Sequence, residues 1–184
     1  MINFIDKYFS NLKTCIDKID KKEIEKFLEI LIDARDNNKT IFIMGNGGSA
    51  STASHFCCEL NKGASYNKDK KFKVICLNDS ISTILAYAND VNFEDIFKEQ
   101  LKNFVQKGDV VIGISSSGNS KNILSAIEYA NEVGAITVGL TGRDGGELKK
   151  LSKYSVNPNY DDLQISEDIH MIIVHLIYRY LIEK

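Results

Sequence analysis

Proline is nearly absent from this 184-residue chain, occurring once, at Pro158. That leaves no proline-rich linker, and no repeat or low-complexity stretch divides the sequence, so one domain spanning residues 1–184 is expected. Cysteine is scarce and poorly spaced for cross-linking. The four thiols, Cys15, Cys57, Cys58 and Cys76, contain no CxxC pair, and the adjacent Cys57 and Cys58 make a poor disulfide framework. This usage indicates a reducing, cytoplasmic setting. No excess of positive charge exists either: the formal net charge is -2 and lysines are interspersed with acids, which argues against nucleic acid as a partner. No run reaches the roughly 18 apolar residues of a membrane span, and Asp6, Lys7 and Lys13 interrupt the apolar residues at the N-terminus. Neither membrane insertion nor secretion is expected.

What is present is an alternation of two periodicities. Ile2, Phe4, Ile5, Tyr8, Phe9, Leu12, Ile16 and Ile19 form the stripe of one amphipathic helix, and Ile24, Phe27, Leu28, Leu31 and Ile32 that of a second, from Lys22 to Asn37. Five apolar runs then read as strands: Thr40–Met44, Phe72–Leu77, Asp109–Ile114, Ala135–Leu140 and Tyr154–Val156. Helical patterns separate or follow them at 48–61, 81–103 with a break near Asn89 and Asp90, 120–132, and 162–183. Strands apolar on both faces and alternating with helices indicate a parallel sheet covered by helices.

Between the first strand and its helix lies Gly45-Asn46-Gly47-Gly48-Ser49. Glycines let the backbone approach a ligand, and the free N–H groups of the following helix attract an oxygen-rich anion. Along that helix His55 and Glu59 lie one turn apart, share a face and can serve as an acid–base pair, as two metal ligands, or simply as a solvated ion pair. After the third strand comes Ser115-Ser116-Ser117-Gly118-Asn119-Ser120, whose hydroxyls and helix amides suit a phosphate; the plainer reading makes Ser120 a helix cap. Both turns fall at the carboxyl edge of the sheet, where ligands of open α/β sheets bind. Two anion-binding turns at one edge point to a phosphorylated ligand.

Gly45, Gly47 and Ala50 also fit a loose G-x-G-x-x-A dinucleotide fingerprint, with Asp79 as the ribose-binding acid. Against it stand the serine turn, which a nucleotide pyrophosphate would leave without an occupant, and a distance to Asp79 longer than the roughly 20 residues expected. No nucleotide cofactor is expected. The last helix is apolar nearly all round, so it lies in the core or in a subunit interface, and oligomerisation follows. Set into it are Glu167, Asp168, His170 and His175, groups costly to bury without partners.

These stretches together, GNGGSAxxAxHFxxEL from Gly45 to Leu60, Asn89-Asp90, GISSSGNS from 113 to 120, GLTGRDGG from 139 to 146, and IHMIIVH in the final helix, resemble the sugar isomerase (SIS) domain family in its phosphoheptose isomerase branch. The resemblance spans essentially the whole chain. It implies a three-layer α/β/α sandwich with a central five-stranded parallel sheet of flavodoxin-like order and two leading helices. It further implies conversion of sedoheptulose 7-phosphate to D-glycero-D-manno-heptose 7-phosphate for bacterial surface heptose, by a homotetramer with active sites between subunits. By the same resemblance Ser115, Ser116, Ser117 and Ser120 hold the phosphate, and Asn46, Gly47, Gly48, Ser49, Asn89, Asp90 and Glu167 contact the substrate. Glu59 stands where the family has its base and His175 where it has the acid partner. One zinc ion per subunit is implied, with His55, Glu59, Glu167 and His175 as ligands.

Such roles suit the reaction, because aldose–ketose isomerisation needs a base at the carbon beside the carbonyl, a donor to the carbonyl oxygen and stabilisation of the enediolate. Two positions depart from the family. A glutamine usually stands eight residues before the last-helix histidine, where this chain has Glu167, with Gln164 one turn earlier. A Gly-Arg pair soon after the base is here replaced within Asn61-Lys62-Gly63, and lysine lacks the planar fork of arginine. The rival from another class is a noncatalytic SIS module that binds a sugar phosphate or a protein partner such as a replication initiator. Such a module has no use for Glu59 and His175 beside a phosphate cradle.

Overall fold

The computed structural model describes residues 1–183. Helix α1 (Ile2–Lys18) and α2 (Lys21–Asp36) come first, with the Asp20 carboxylate accepting from the Lys22 amide to start α2. Strands and helices then alternate: β1 (Thr40–Gly45), α3 (Gly48–Cys58), β2 (Lys73–Cys76), α4 (Ile81–Asp90), α5 (Ile96–Lys102), β3 (Val110–Ser115), α6 (Lys121–Val133), β4 (Ile136–Thr141), α7 (Gly146–Leu151), β5 (Tyr154–Val156) and α8 (Leu163–Glu183). The sheet order is β2-β1-β3-β4-β5 with every pairing parallel, the flavodoxin-like order.

Strand alternation divides the interior into two cores. Ile41 and Ile43 of β1, with Ile112 of β3 and Leu140 of β4, pack beneath α1, α2, α3 and α8. Phe42, Met44 and Val111 point the other way, against Phe97 and Leu101 of α5, Ile127 of α6 and Leu148 of α7. Both sheet faces are therefore covered, the arrangement that lets strands carry near-continuous apolar runs. At about 25 cal/mol per Å² of apolar surface, each such side chain contributes roughly 1.5–3 kcal/mol.

Two of these elements, the end of α3 and the presence of α7, differ from the sequence expectation, and the expected break before α5 is present. The helix expected to run through residue 61 ends as α3 at Cys58, and Glu59–Gly63 form a π-turn in which the Ala64 amide bonds the Glu59 carbonyl at 2.8 Å. There Asn61 leaves the helical path to clasp Val74 of the edge strand, accepting from its N–H (3.1 Å) and donating to its carbonyl (2.8 Å). The expected break near Asn89 and Asp90 is a separation of α4 from α5 by a 3₁₀ turn at Phe93–Asp95. Helix α7 was not expected, since its six residues, GELKKL, are too few to show an apolar period. The last helix divides its apolar residues: Ile169, Ile173 and Ile177 are in the core, whereas Ile172 and Leu176 stay 38% and 47% exposed on the isolated chain.

Candidate active site

Gly45 at the end of β1 lies opposite Ile114 near the end of β3, and between these strands the sheet order reverses. Ligand crevices of open α/β sheets form at such a switch point. Both anion-binding turns emerge here. Beyond β3 the backbone folds back on itself, with the Gly118 amide bonding the Ser115 carbonyl at 2.9 Å. Gly118 adopts φ +67°, and a Cβ there would meet the Gly145 carbonyl oxygen at 2.1 Å, so only glycine fits against the turn preceding α7. The hydroxyls converge: Ser115 Oγ is 3.1 Å from Ser120 Oγ and 3.4 Å from Ser117 Oγ. Ser120 precedes α6 without capping it through its side chain. Its hydroxyl belongs to the cluster, and hydroxyls beside a helix start make the donor-rich cradle that a phosphate needs.

Asn46 and Ser49 from the first turn, the four serines and Glu167 from α8 line a cleft of about 170 Å³. Wider grooves of about 490 and 400 Å³ run along α2, but neither touches the residues of the two turns. The Glu167 carboxylate rests on the first turn of α3: a Cβ on Gly48 would lie 2.6 Å from Oε2, so glycine is what admits this close approach. A negative group at that helix start is favoured by the helix dipole.

A second group forms on α3 and α8. His55 Nε2 and His175 Nε2 are 2.9 Å apart, with the rings edge to face at 87°. One nitrogen therefore carries the proton and the other accepts it. Glu59 Oε1 lies 3.9 Å from His55 Nε2, while its Oε2 is buried without a hydrogen-bond partner. An uncommitted buried carboxylate oxygen costs about 1–3 kcal/mol or more, and such orphans mark a place where another group or a proton is meant to arrive.

Two imidazole nitrogens and a carboxylate oxygen are the donor chemistry of a divalent transition metal. Glu167, the fourth ligand the resemblance implies, does not join them but faces the serine cleft. Among the described residues, no group of three or more His, Cys, Asp or Glu side chains is assembled as a metal-holding set. Asn89 and Asp90 are exposed at the end of α4, bonded to each other at 2.7 Å, and do not line the cleft.

Asp79, Asp168 and His170, also singled out in the sequence, have structural partners. Asp79 accepts from Ser54 at 2.6 Å, and Asp168 accepts from the Tyr8 hydroxyl at 2.6 Å, joining α8 to α1. That bond and burial push the Tyr8 hydroxyl up to about 12. His170 is fully buried; Nε2 donates to the Thr141 carbonyl at 2.8 Å, and burial lowers its pKa to about 4. Two asparagines were not anticipated. Asn78 brackets Gly45, accepting from its N–H at 3.0 Å and donating to its carbonyl at 2.8 Å. Asn122 exchanges two hydrogen bonds with the Asn46 side chain. An asparagine just after a strand, or in the first turn of a helix, reads in sequence as an ordinary turn or end residue.

The family profile of the SIS domain matches residues 4–142. A phosphoheptose isomerase of Helicobacter pylori is 38% identical over 179 residues, covering 95% of this chain and 92% of that protein. Among solved structures, the phosphoheptose isomerase of Neisseria gonorrhoeae matches with a TM-score of 0.90 at 26% identity, over 99% of this chain and 98% of the other. That of Francisella tularensis matches with a TM-score of 0.87 at 26% identity, over 100% of this chain and 98% of the other.

Proposed function

This chain belongs to the SIS domain family, and we propose that it is an isomerase interconverting sedoheptulose 7-phosphate and D-glycero-D-manno-heptose 7-phosphate. The observation that carries the reading is the buried, unpartnered Glu59 Oε2 beside the His55–His175 pair, borne by the same α3 and α8 whose Ser49 and Glu167 line the serine cleft. We read residues 1–184 as one SIS domain, because α8, beyond the profile match, supplies Glu167 and His175.

In this mechanism Ser115, Ser116, Ser117 and Ser120 bind the phosphate, while Asn46, Gly47, Gly48, Ser49 and Glu167 bind the rest of the sugar; Asn89 and Asp90, away from the cleft, take no part. Glu59 removes the carbon-bound proton at C1 of the ketose, and the electron pair forms the C1–C2 double bond of an enediolate as the C2 carbonyl oxygen gains charge. His175 donates to that oxygen. His175, left without that proton, takes the proton of the C1 hydroxyl, Glu59 returns its proton to C2, and C1 becomes the aldehyde carbon. No electrons leave the substrate, so neither a nucleotide nor a redox cofactor is consumed. A zinc ion held by His55, Glu59 and His175 would supply Lewis-acid polarisation of the reacting oxygens, with Glu167 the fourth ligand that the resemblance implies. Glu167 in place of glutamine would neutralise more of that charge.

Closure of the site by a neighbouring subunit would shield the intermediate from water, in keeping with a homotetramer. Four free cysteines support a cytoplasmic enzyme, the compartment in which a sugar phosphate for surface heptose is made. No helix among the described residues is long and apolar enough to cross a membrane.

Glu59→Gln tests the reading, because the amide keeps the shape and cannot take a proton. Turnover of sedoheptulose 7-phosphate should fall by about 10²–10⁴-fold, while binding of the sugar phosphate by calorimetry persists. Full activity in this variant would remove Glu59 from the chemistry and leave a sugar-phosphate-binding module as the better account.

A further inference from the structure

Asn46 lines the cleft, and its side chain is held by a residue for which the mechanism above has no role. Asn46 Nδ2 donates to Asn122 Oδ1 at 2.9 Å, and Asn122 Nδ2 donates back to Asn46 Oδ1 at 2.9 Å. Asn122 is only 3% exposed and is the second residue of α6, two positions after Ser120 of the cradle. Its Oδ1 also accepts from the Ile123 amide at 3.0 Å, which fixes the amide plane of Asn122 itself. The pair therefore ties the glycine turn after β1 to the helix that begins at the phosphate cradle, across 76 residues of sequence.

The terminal torsion of an asparagine is broad and two-fold, so a free Asn46 amide presents either its oxygen or its nitrogen to the cleft. The reciprocal bonds remove that freedom. They use one N–H and one lone pair of Asn46, leaving its second N–H and second lone pair in a single orientation. From the other side, Asn78 holds Gly45 by both backbone groups, so the chain leading into Asn46 is fixed as well.

We infer that Asn122 is a positioning residue that sets the amide orientation of Asn46, and so dictates which sugar hydroxyl pattern is accepted next to the bound phosphate. This rests on the isomerase reading for its kinetic consequence and on the hydrogen-bond geometry alone for its structural one. Asn122 acts through Asn46, and the two should not behave as independent contacts.

A double-mutant cycle with Asn46→Ala and Asn122→Ala, measured on kcat/KM for sedoheptulose 7-phosphate, tests the coupling. Asn122→Ala alone should lower kcat/KM by about tenfold, and should have little further effect in the Asn46→Ala background. Inhibition by inorganic phosphate should change by less than about twofold, because the serines are untouched. Effects that multiply independently, or a loss of phosphate inhibition equal to the loss of kcat/KM, would overturn the inference. Side-chain amide NMR gives a second reading that needs no turnover. The Asn46 Nδ2 protons should be protected from exchange in the native protein and lose that protection in Asn122→Ser, with the backbone spectrum otherwise retained. Unaltered Asn46 protection in that variant would also overturn it. Wild-type protein that turns over no ketose phosphate would instead defeat the isomerase reading, and the NMR comparison would still decide the role of Asn122.

Discussion

Single side chains in this fold are distinguished by whether their polar atoms find partners. Three residues of α8 show the range: Asp168 is satisfied by Tyr8, His170 is half satisfied by Thr141, and Glu167 rests on a helix start at the cleft. Burial holds His170 neutral, with its pKa lowered from 6.5 to about 4. Between those values the unfolded chain takes up a proton that the native state refuses. The contribution to stability is therefore complete above about pH 6.5 and is lost as the pH falls toward 4, by as much as about 3 kcal/mol. Urea unfolding of wild type and His170→Gln across this window should show the wild-type advantage shrinking toward acid. A difference independent of pH would mean that His170 is not held neutral. The sequence marked Glu59, His175 and the serines through residue types that chemistry needs, but not the Asn46–Asn122 exchange, which depends on two chain segments meeting at the switch point.

At the scale of elements, the five strands and seven of the eight helices among the described residues were legible, most of them because they carry enough residues to show a period. Strands β1 and β3 are apolar on both faces, and α6 ends on Gly134 in the left-handed region. Helix α7 is a single short turn, and the π-turn at Glu59–Gly63 continues the helical pattern of α3 without a break in composition; neither leaves a periodic trace. The loop from Ser115 to Ser120 is shaped from outside by the Gly145 turn, a contact that no local pattern displays. Gly118→Ala tests that dependence. The added methyl would collide with the Gly145 carbonyl and the residue would be strained at positive φ, so stability should fall by more than about 1 kcal/mol. Phosphate inhibition should weaken in parallel, since the hydroxyls are displaced. A variant with native unfolding temperature and native phosphate inhibition would show that the cradle does not rely on this packing.

For the whole molecule, the isolated chain leaves large apolar side chains exposed, among them Ile2, Phe4 and Phe9 on α1, Ile81 and Leu85 on α4, and Ile172 and Leu176 on α8. Exposed apolar side chains on a helix face suit an interaction surface. The core side of α8 offers a contrast, because Ile173 is 1% exposed and a charge there would unfold the subunit itself. Leu176→Asp instead places the charge at an exposed position. If the proposed homotetramer is sealed by this face, the variant should keep its helical content and run as a smaller species than wild type by light scattering, whereas an unchanged size would exclude this face from the proposed seam. The central claim is that the protein moves a proton between C1 and C2 of a sugar phosphate through an enediolate. Proton NMR of sedoheptulose 7-phosphate incubated with the purified enzyme in deuterium oxide reads this directly. The aldose signal should appear, with deuterium accumulating at C2 over many turnovers as the proton on Glu59 exchanges with solvent. No aldose, or aldose that keeps the original hydrogen throughout, would contradict it.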